Sequence, residues 1–269
     1  MKRVAAIQMA SGPNVAANLI EAERLIGRAV AADAGLVVLP ENFAIMGFVD
    51  SDLLKVRERD GSGPIQDFLR EQAHKHNIWI VGGTIPLEAK APDKVRSACL
   101  VFNGKGERVA RYDKIHLFDV EIVDSGESYT ESKTIEPGSE VVVLDTPFGK
   151  VGLAICYDIR FPELFRLLLD KDAEIFAVPS AFTAITGKAH WDTLVRARAI
   201  ENLCYVIAAA QGGYHVSGRE THGDSMVVDP WGRIVDRLPR GSGFVVADID
   251  RQRLERTRLH FPTIHHRRL

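Results

Sequence analysis

Three cysteines in 269 residues, Cys99, Cys156 and Cys204, are odd in number, widely spaced and free of any Cys-x-x-Cys pair. That pattern argues against a disulfide framework and against a structural zinc site. The nine histidines, dispersed apart from His265-His266, offer no cluster for a metal. No apolar run approaches the ~18 residues that a bilayer span needs. Charge of one sign is missing too: 34 lysines and arginines against 36 aspartates and glutamates leave a net charge of −2. Nothing therefore draws the chain electrostatically to nucleic acid or to an anionic membrane, and the basic run His265-His266-Arg267-Arg268 is too short to be a binding patch. No Walker sequence or strand-linked Gly-x-Gly-x-x-Gly is present, and Gly212-Gly213 and Gly241-Ser242-Gly243 read as turns.

What is present suits an enzyme with a large core: 46% of residues are apolar and 26% charged. No linker-like stretch interrupts residues 1–269, so one domain is expected. Met1 to Met9 holds an apolar run too short for a signal peptide and reads as a first strand, which makes the cytoplasm the expected location.

Amphipathic helices alternate with short apolar strands. Helices are expected over Asn14 to Ala32, Pro64 to His76, Phe161 to about Lys171 and Lys188 to Glu201. Strands are expected over Leu36 to Leu39, Ile78 to Thr84, Ser97 to Phe102, Arg108 to Tyr112, Val151 to Ile155, Ile175 to Val178 and Tyr205 to Ala210. Asn103-Gly104 marks a hairpin, and Ser225 to Asp236 and Gly243 to Asp248 read as closing hairpin strands. Periodicity supports an α/β fold. Cys99 and Cys204 fall within strands and read as packing. The Phe161 to Lys171 helix carries Leu164, Phe165, Leu167, Leu168 and Leu169, which suits core burial or a helix interface.

The run Val151-Gly-Leu-Ala-Ile-Cys156-Tyr157-Asp158 delivers a cysteine from an apolar strand into a polar turn. Ligands of open α/β folds bind at such carboxyl strand ends, and a strand-to-helix turn exposes backbone N–H groups that can hold developing negative charge. Buried packing is the alternative for Cys156. A cysteine nucleophile needs a proton acceptor and an oxyanion partner. Glu41 leaves the Leu36 to Leu39 strand through Pro40-Glu41-Asn42-Phe43, and Lys114 ends a strand-like segment in Tyr112-Asp113-Lys114-Ile115-His116. Each could instead be an ordinary loop charge. Arg160, four residues after Cys156, could bind a substrate carboxylate bidentately, or form a salt bridge with Glu163 or Asp158. Phe182 and Thr186, after the Ile175 to Val178 strand, fall on the same expected rim as pocket walls.

Together, Val37-Val38-Leu39-Pro40-Glu41, Tyr112 to Leu117, the Cys156 run and Ala189-His190-Trp191 leading to Arg196-Ala197-Arg198-Ala199-Ile200-Glu201 resemble the nitrilase superfamily of carbon-nitrogen hydrolases over nearly the whole chain. The resemblance implies a four-layer α-β-β-α sandwich, extended to eight layers in a homodimer, and an amidase that needs no cofactor. It implies Cys156 as nucleophile, Glu41 as general base, Lys114 with the Tyr157 N–H at the oxyanion, and Glu131 as a second active-site glutamate. Histidine is not the base in this superfamily, so His116, His190 and His222, and likewise Trp191, are expected to be structural. Pro179 to Phe182, Ala208 to Gln211 and Val227 to Gly232 resemble the deaminated glutathione amidase branch more than the ω-amidases. The ω-amidase reaction on 2-oxoglutaramate is the alternative. A nitrilase, an N-carbamoyl hydrolase and a non-catalytic binding module stand behind it.

Overall fold

Two mixed sheets carry the chain, and the alternation of side chains along their strands decides what each face meets. The computed structural model describes residues 2–123 and 126–268; Met1, expected in the first strand, lies outside the described residues. In strand Lys2–Gln8, Val4 and Ala6 face the second sheet, while Ala5 and Ile7 face helices. Leu36–Val38 repeats the pattern, with Leu36 and Val38 inward and Val37 outward. This period of two is what a strand buried on both faces requires.

In the seven-stranded sheet Lys2–Gln8, Leu36–Val38 and Trp79–Val81 run parallel. Val95–Phe102 and Arg108–Asp113 form the expected hairpin, and Gly243–Ile249 returns antiparallel to Lys2–Gln8 rather than beside its chain neighbour. The six-stranded sheet is built on parallel Gly149–Leu153, Ile175–Ser180 and Tyr205–Ala210. Helices Val15–Ala31 and Pro64–His76 cover the first sheet, while Pro162–Asp170 and Ala184–Asn202 cover the second. The order is helix, sheet, sheet, helix, the α-β-β-α sandwich.

Local chemistry explains the helix ends. The Asn14 side chain accepts the Ala17 N–H and caps the first helix, and Pro64 opens the second. Thr183 caps the helix that begins at Ala184, four residues before the expected Lys188. Along Pro162–Asp170, Leu164, Phe165, Leu168 and Leu169 are buried, whereas Leu167 is exposed.

Three other expectations change. The strand expected over Ile78 to Thr84 ends at Val81, because Gly83 turns at φ 56° where a Cβ would lie 2.1 Å from the Pro40 carbonyl oxygen. Gly212-Gly213 belongs to a short strand, Gly212–Tyr214, paired with Glu220–His222, rather than to a turn. A second small hairpin, Asp119–Ile122 with Glu127–Thr130, was not expected at all.

Candidate active site

Parallel strands of both sheets end at one edge, where Met9 and Gln211 form a parallel bridge from one sheet to the other. Glu41 follows a strand of the first sheet and Cys156 a strand of the second, so the two groups converge across the sheet interface. Gln211 stitches this edge: its Nε2 donates to the Glu41 carbonyl at 3.0 Å and to Ser11 Oγ at 2.9 Å, while its Oε1 accepts the Ser11 N–H at 3.0 Å.

Lys114 leaves strand Arg108–Asp113 and is 2% exposed. Its Nζ lies 2.8 Å from Glu41 Oε1 and 2.7 and 2.9 Å from the two Glu131 oxygens. Glu131, in the short turn after Glu127–Thr130, also accepts the Phe118 N–H at 2.6 Å. A buried ammonium between two carboxylates is fixed in place, since few other positions would compensate its lost hydration. Burial would lower the Lys114 pKa, but Glu131 and Glu41 outweigh it and hold the value well above normal. Glu131 is raised, chiefly by burial and further by Glu41, with Lys114 opposing.

Cys156 sits in a left-handed conformation, φ 47°, at the start of the 3-10 turn Cys156–Arg160. A non-glycine residue held there costs on the order of 1–3 kcal/mol and persists only where its surroundings enforce it. Asp158, fully buried, does so. Its carboxylate accepts the Ile155 N–H at 2.8 Å, the Tyr112 hydroxyl at 2.6 Å and the His116 N–H at 3.0 Å, and lies 2.7 Å from His116 Nδ1. Burial and the adjacent Glu41, which the thiol hydrogen-bonds, push the Cys156 thiol well up, while Lys114 and the Ala181 N–H pull the other way. The first N–H groups of the turn lack intrahelical acceptors, as at any helix start.

These groups open on a pocket lined among others by Tyr157, Phe182 and Thr186. Arg160 is not in the lining: its guanidinium lies over the rings of Tyr157 and Phe182, and its Nη1 is 3.3 Å from His190 Nδ1. The lining arginine is Arg219, which sequence reading missed because Ser217-Gly218-Arg219-Glu220 looks like any solvated loop. Asp158 and Gln211 were missed as well, since their partners are distant in sequence. His116 stacks on Phe161 at 3.7 Å, and Trp191 Nε1 donates to the Asp224 carbonyl at 2.8 Å. His222 lies 3.7 Å from an Asp224 oxygen. Among the described residues no group of histidines, cysteines and carboxylates could hold a metal.

A thiol beside a carboxylate able to take its proton and an ammonium able to stabilise negative charge is suited to nucleophilic acyl transfer. The carbon-nitrogen hydrolase family profile matches residues 3–259. A Synechocystis deaminated glutathione amidase is 43% identical over 98% of this chain and 97% of its own length. A Saccharomyces cerevisiae structure, of a branch 10 member of the nitrilase superfamily, superposes with a TM-score of 0.87 at 35% identity, covering 97% of this chain and 94% of that one. An amidase from a Nesterenkonia species, with acrylamide added to its active-site cysteine, gives 0.79 at 26% identity over 97% and 98% of the two chains. The chain belongs to the carbon-nitrogen hydrolase family, and it is an amidase.

Proposed function

We propose that residues 1–269 form one carbon-nitrogen hydrolase domain that cleaves the amide of deaminated glutathione, giving 2-oxoglutarate and cysteinylglycine. The buried Glu41 and Lys114, joined by the partly buried Glu131 beside Cys156, carry this reading of the chemistry. The substrate is supported by relatives of that name at about 40% identity, from bacteria to human.

In this reading Glu41 takes the Cys156 thiol proton as sulfur attacks the amide carbon. The oxyanion that forms is held by Lys114 and the Tyr157 N–H, and losing one such donor typically costs ~3 kcal/mol. Glu41 passes the proton to the leaving nitrogen, the C–N bond breaks and a 2-oxoglutaryl thioester remains. Water, deprotonated by Glu41, then attacks the thioester; the acid departs and the thiol is restored. Glu131 fixes the Lys114 ammonium throughout. No cofactor enters. Phe182 and Thr186 wall the acyl group, and Arg160 takes the 2-oxo acid carboxylate by turning its guanidinium from His190 into the cavity.

The reading extends to a homodimer in the cytoplasm, with no nucleic-acid or membrane partner. Exposed Trp231 and Phe261, 5.2 Å apart, and neighbouring Ile200 supply apolar surface for the dimer. Three free cysteines, the nucleophile Cys156 among them, suit a reducing compartment. Among the described residues no helix is long and apolar enough to cross a membrane.

The test is kcat/KM for 2-oxoglutarate release from deaminated glutathione and from 2-oxoglutaramate on one preparation. Preference for the tripeptide-derived substrate supports the proposal. Preference for the small amide would transfer the protein to the ω-amidases.

A further inference from the structure

Arg219 is a cation in the cavity wall that, among the described residues, forms no ion pair. It sits between the two small hairpins that rim the site: it precedes strand Glu220–His222 by one position in sequence, and its guanidinium lies 5.2 Å from the ring centroid of Tyr129 on Glu127–Thr130. Its Nη2 donates to the Ala181 carbonyl at 2.9 Å, and the N–H of that same residue faces the Cys156 thiol. The guanidinium is thus anchored within one peptide unit of the nucleophile. Its Nε is buried, with no hydrogen-bond partner. Buried donors are nearly always satisfied, so an unpaired one on a guanidinium that lines a cavity is consistent with a ligand there that settles the group.

The ring contact with Tyr129 and the anchor on Ala181 fix the plane of the guanidinium, so the remaining N–H groups form a preset fork suited to a carboxylate. Among the described residues no carboxylate pairs with it. The other arginine near the site, Arg160, is on the Phe182 and Tyr157 side and is already assigned to the acyl group. The proposed substrate carries two carboxylates, one on the 2-oxo acid and one at the terminal glycine of its amine side. 2-Oxoglutaramate carries only the first.

We propose that Arg219 binds the terminal carboxylate of the peptide on the leaving-group side, so that the hairpin carrying it selects amides of carboxylate-bearing amines over primary amides. The inference rests on the function proposed above and specifies how the same site chooses its leaving group. Arg219 forms no bond to the reacting atoms; it sets specificity.

The experiment compares deaminated glutathione with its C-terminal amide, in which the glycine carboxylate alone is neutralised, on the wild type, Arg219→Gln and Arg219→Lys. The wild type is expected to favour the free acid in kcat/KM by roughly ten- to hundredfold, the range for losing one charge-assisted pair. Arg219→Gln should bring that ratio near unity whatever its absolute rate, and Arg219→Lys should restore part of it. A wild type that treats acid and amide alike overturns the proposal without any variant. So does an Arg219→Gln variant that keeps the wild-type ratio. Failure of the underlying function has its own signature: a wild type that hydrolyses 2-oxoglutaramate but neither form of deaminated glutathione.

Discussion

Lys114→Met removes the ammonium while keeping a chain of similar length, and leaves Glu41 and Glu131 facing each other in a buried site. Breaking a buried ion pair by deleting one partner costs about 3–5 kcal/mol. At roughly 2–4 °C per kcal/mol for a chain of this size class, the melting temperature should fall by about 6–20 °C near neutral pH. The pH dependence discriminates further. Glu131 is raised by burial and by Glu41, and Lys114 opposes that rise. A carboxyl raised in the folded state contributes stability that is fully present below its unfolded value of about 4.5 and is lost as pH climbs through the folded value. Without Lys114 the folded value rises further, so the loss is larger and extends to higher pH. Thermal melts of both proteins at pH 5, 6, 7 and 8 should show a gap that widens with pH, and kcat should fall at least ~100-fold with the oxyanion partner gone. A gap that is constant over that range, or an unchanged melting temperature, would refute the reasoning.

Asp158→Asn puts an amide nitrogen in place of one oxygen, so that it faces either the Ile155 N–H and Tyr112 hydroxyl of Oδ2 or the His116 N–H and Nδ1 of Oδ1. About 2–4 kcal/mol of stability should be lost for roughly two unsatisfied donors, and kcat should fall more than KM changes as the Cys156 turn relaxes; a melt and kcat equal to wild type would show that Asp158 does not hold the turn. Iodoacetamide should modify Cys156 first, with activity lost in proportion, because Cys99 and Cys204 are fully packed away and burial pushes both thiols up, that of Cys204 to about 12 against Arg258. Since the Cys156 thiol is itself raised, its labelling rate should still be climbing with pH beyond 9. Equal labelling of the three cysteines by peptide mapping would contradict this.

Elements with strong periodicity were legible in the sequence: the Pro64–His76 helix and the Tyr205–Ala210 strand match their expected bounds residue for residue. The elements missed are short or weakly patterned: strand Ile85–Glu88 is buried but only four residues long. Helix Arg251–His260 buries only Leu254, and the Asp119–Ile122 and Glu127–Thr130 hairpin buries no residue fully, its strands being only four residues each. The division of strands between two sheets was not legible from periodicity and came with the superfamily resemblance, because inward and outward faces are both apolar in strands such as Leu36–Val38. Glu41 and Cys156 stood out as polar groups at the ends of apolar strands, and Lys114 as a lysine ending a strand-like segment of alternating charge and hydrophobe. Asp158 and Gln211 did not, since each acts through backbone and side-chain partners far away in sequence. Arg219 is a third kind of miss: a loop arginine gains meaning only once folding buries its Nε in a cavity wall.

The covalent role of Cys156 is tested most directly by 2-oxoglutarate release from deaminated glutathione by Cys156→Ala, measured beside the wild type on protein shown to melt cooperatively. No detectable turnover by the folded variant is the predicted result; turnover at a rate comparable to the wild type would contradict the assignment of Cys156 as the nucleophile.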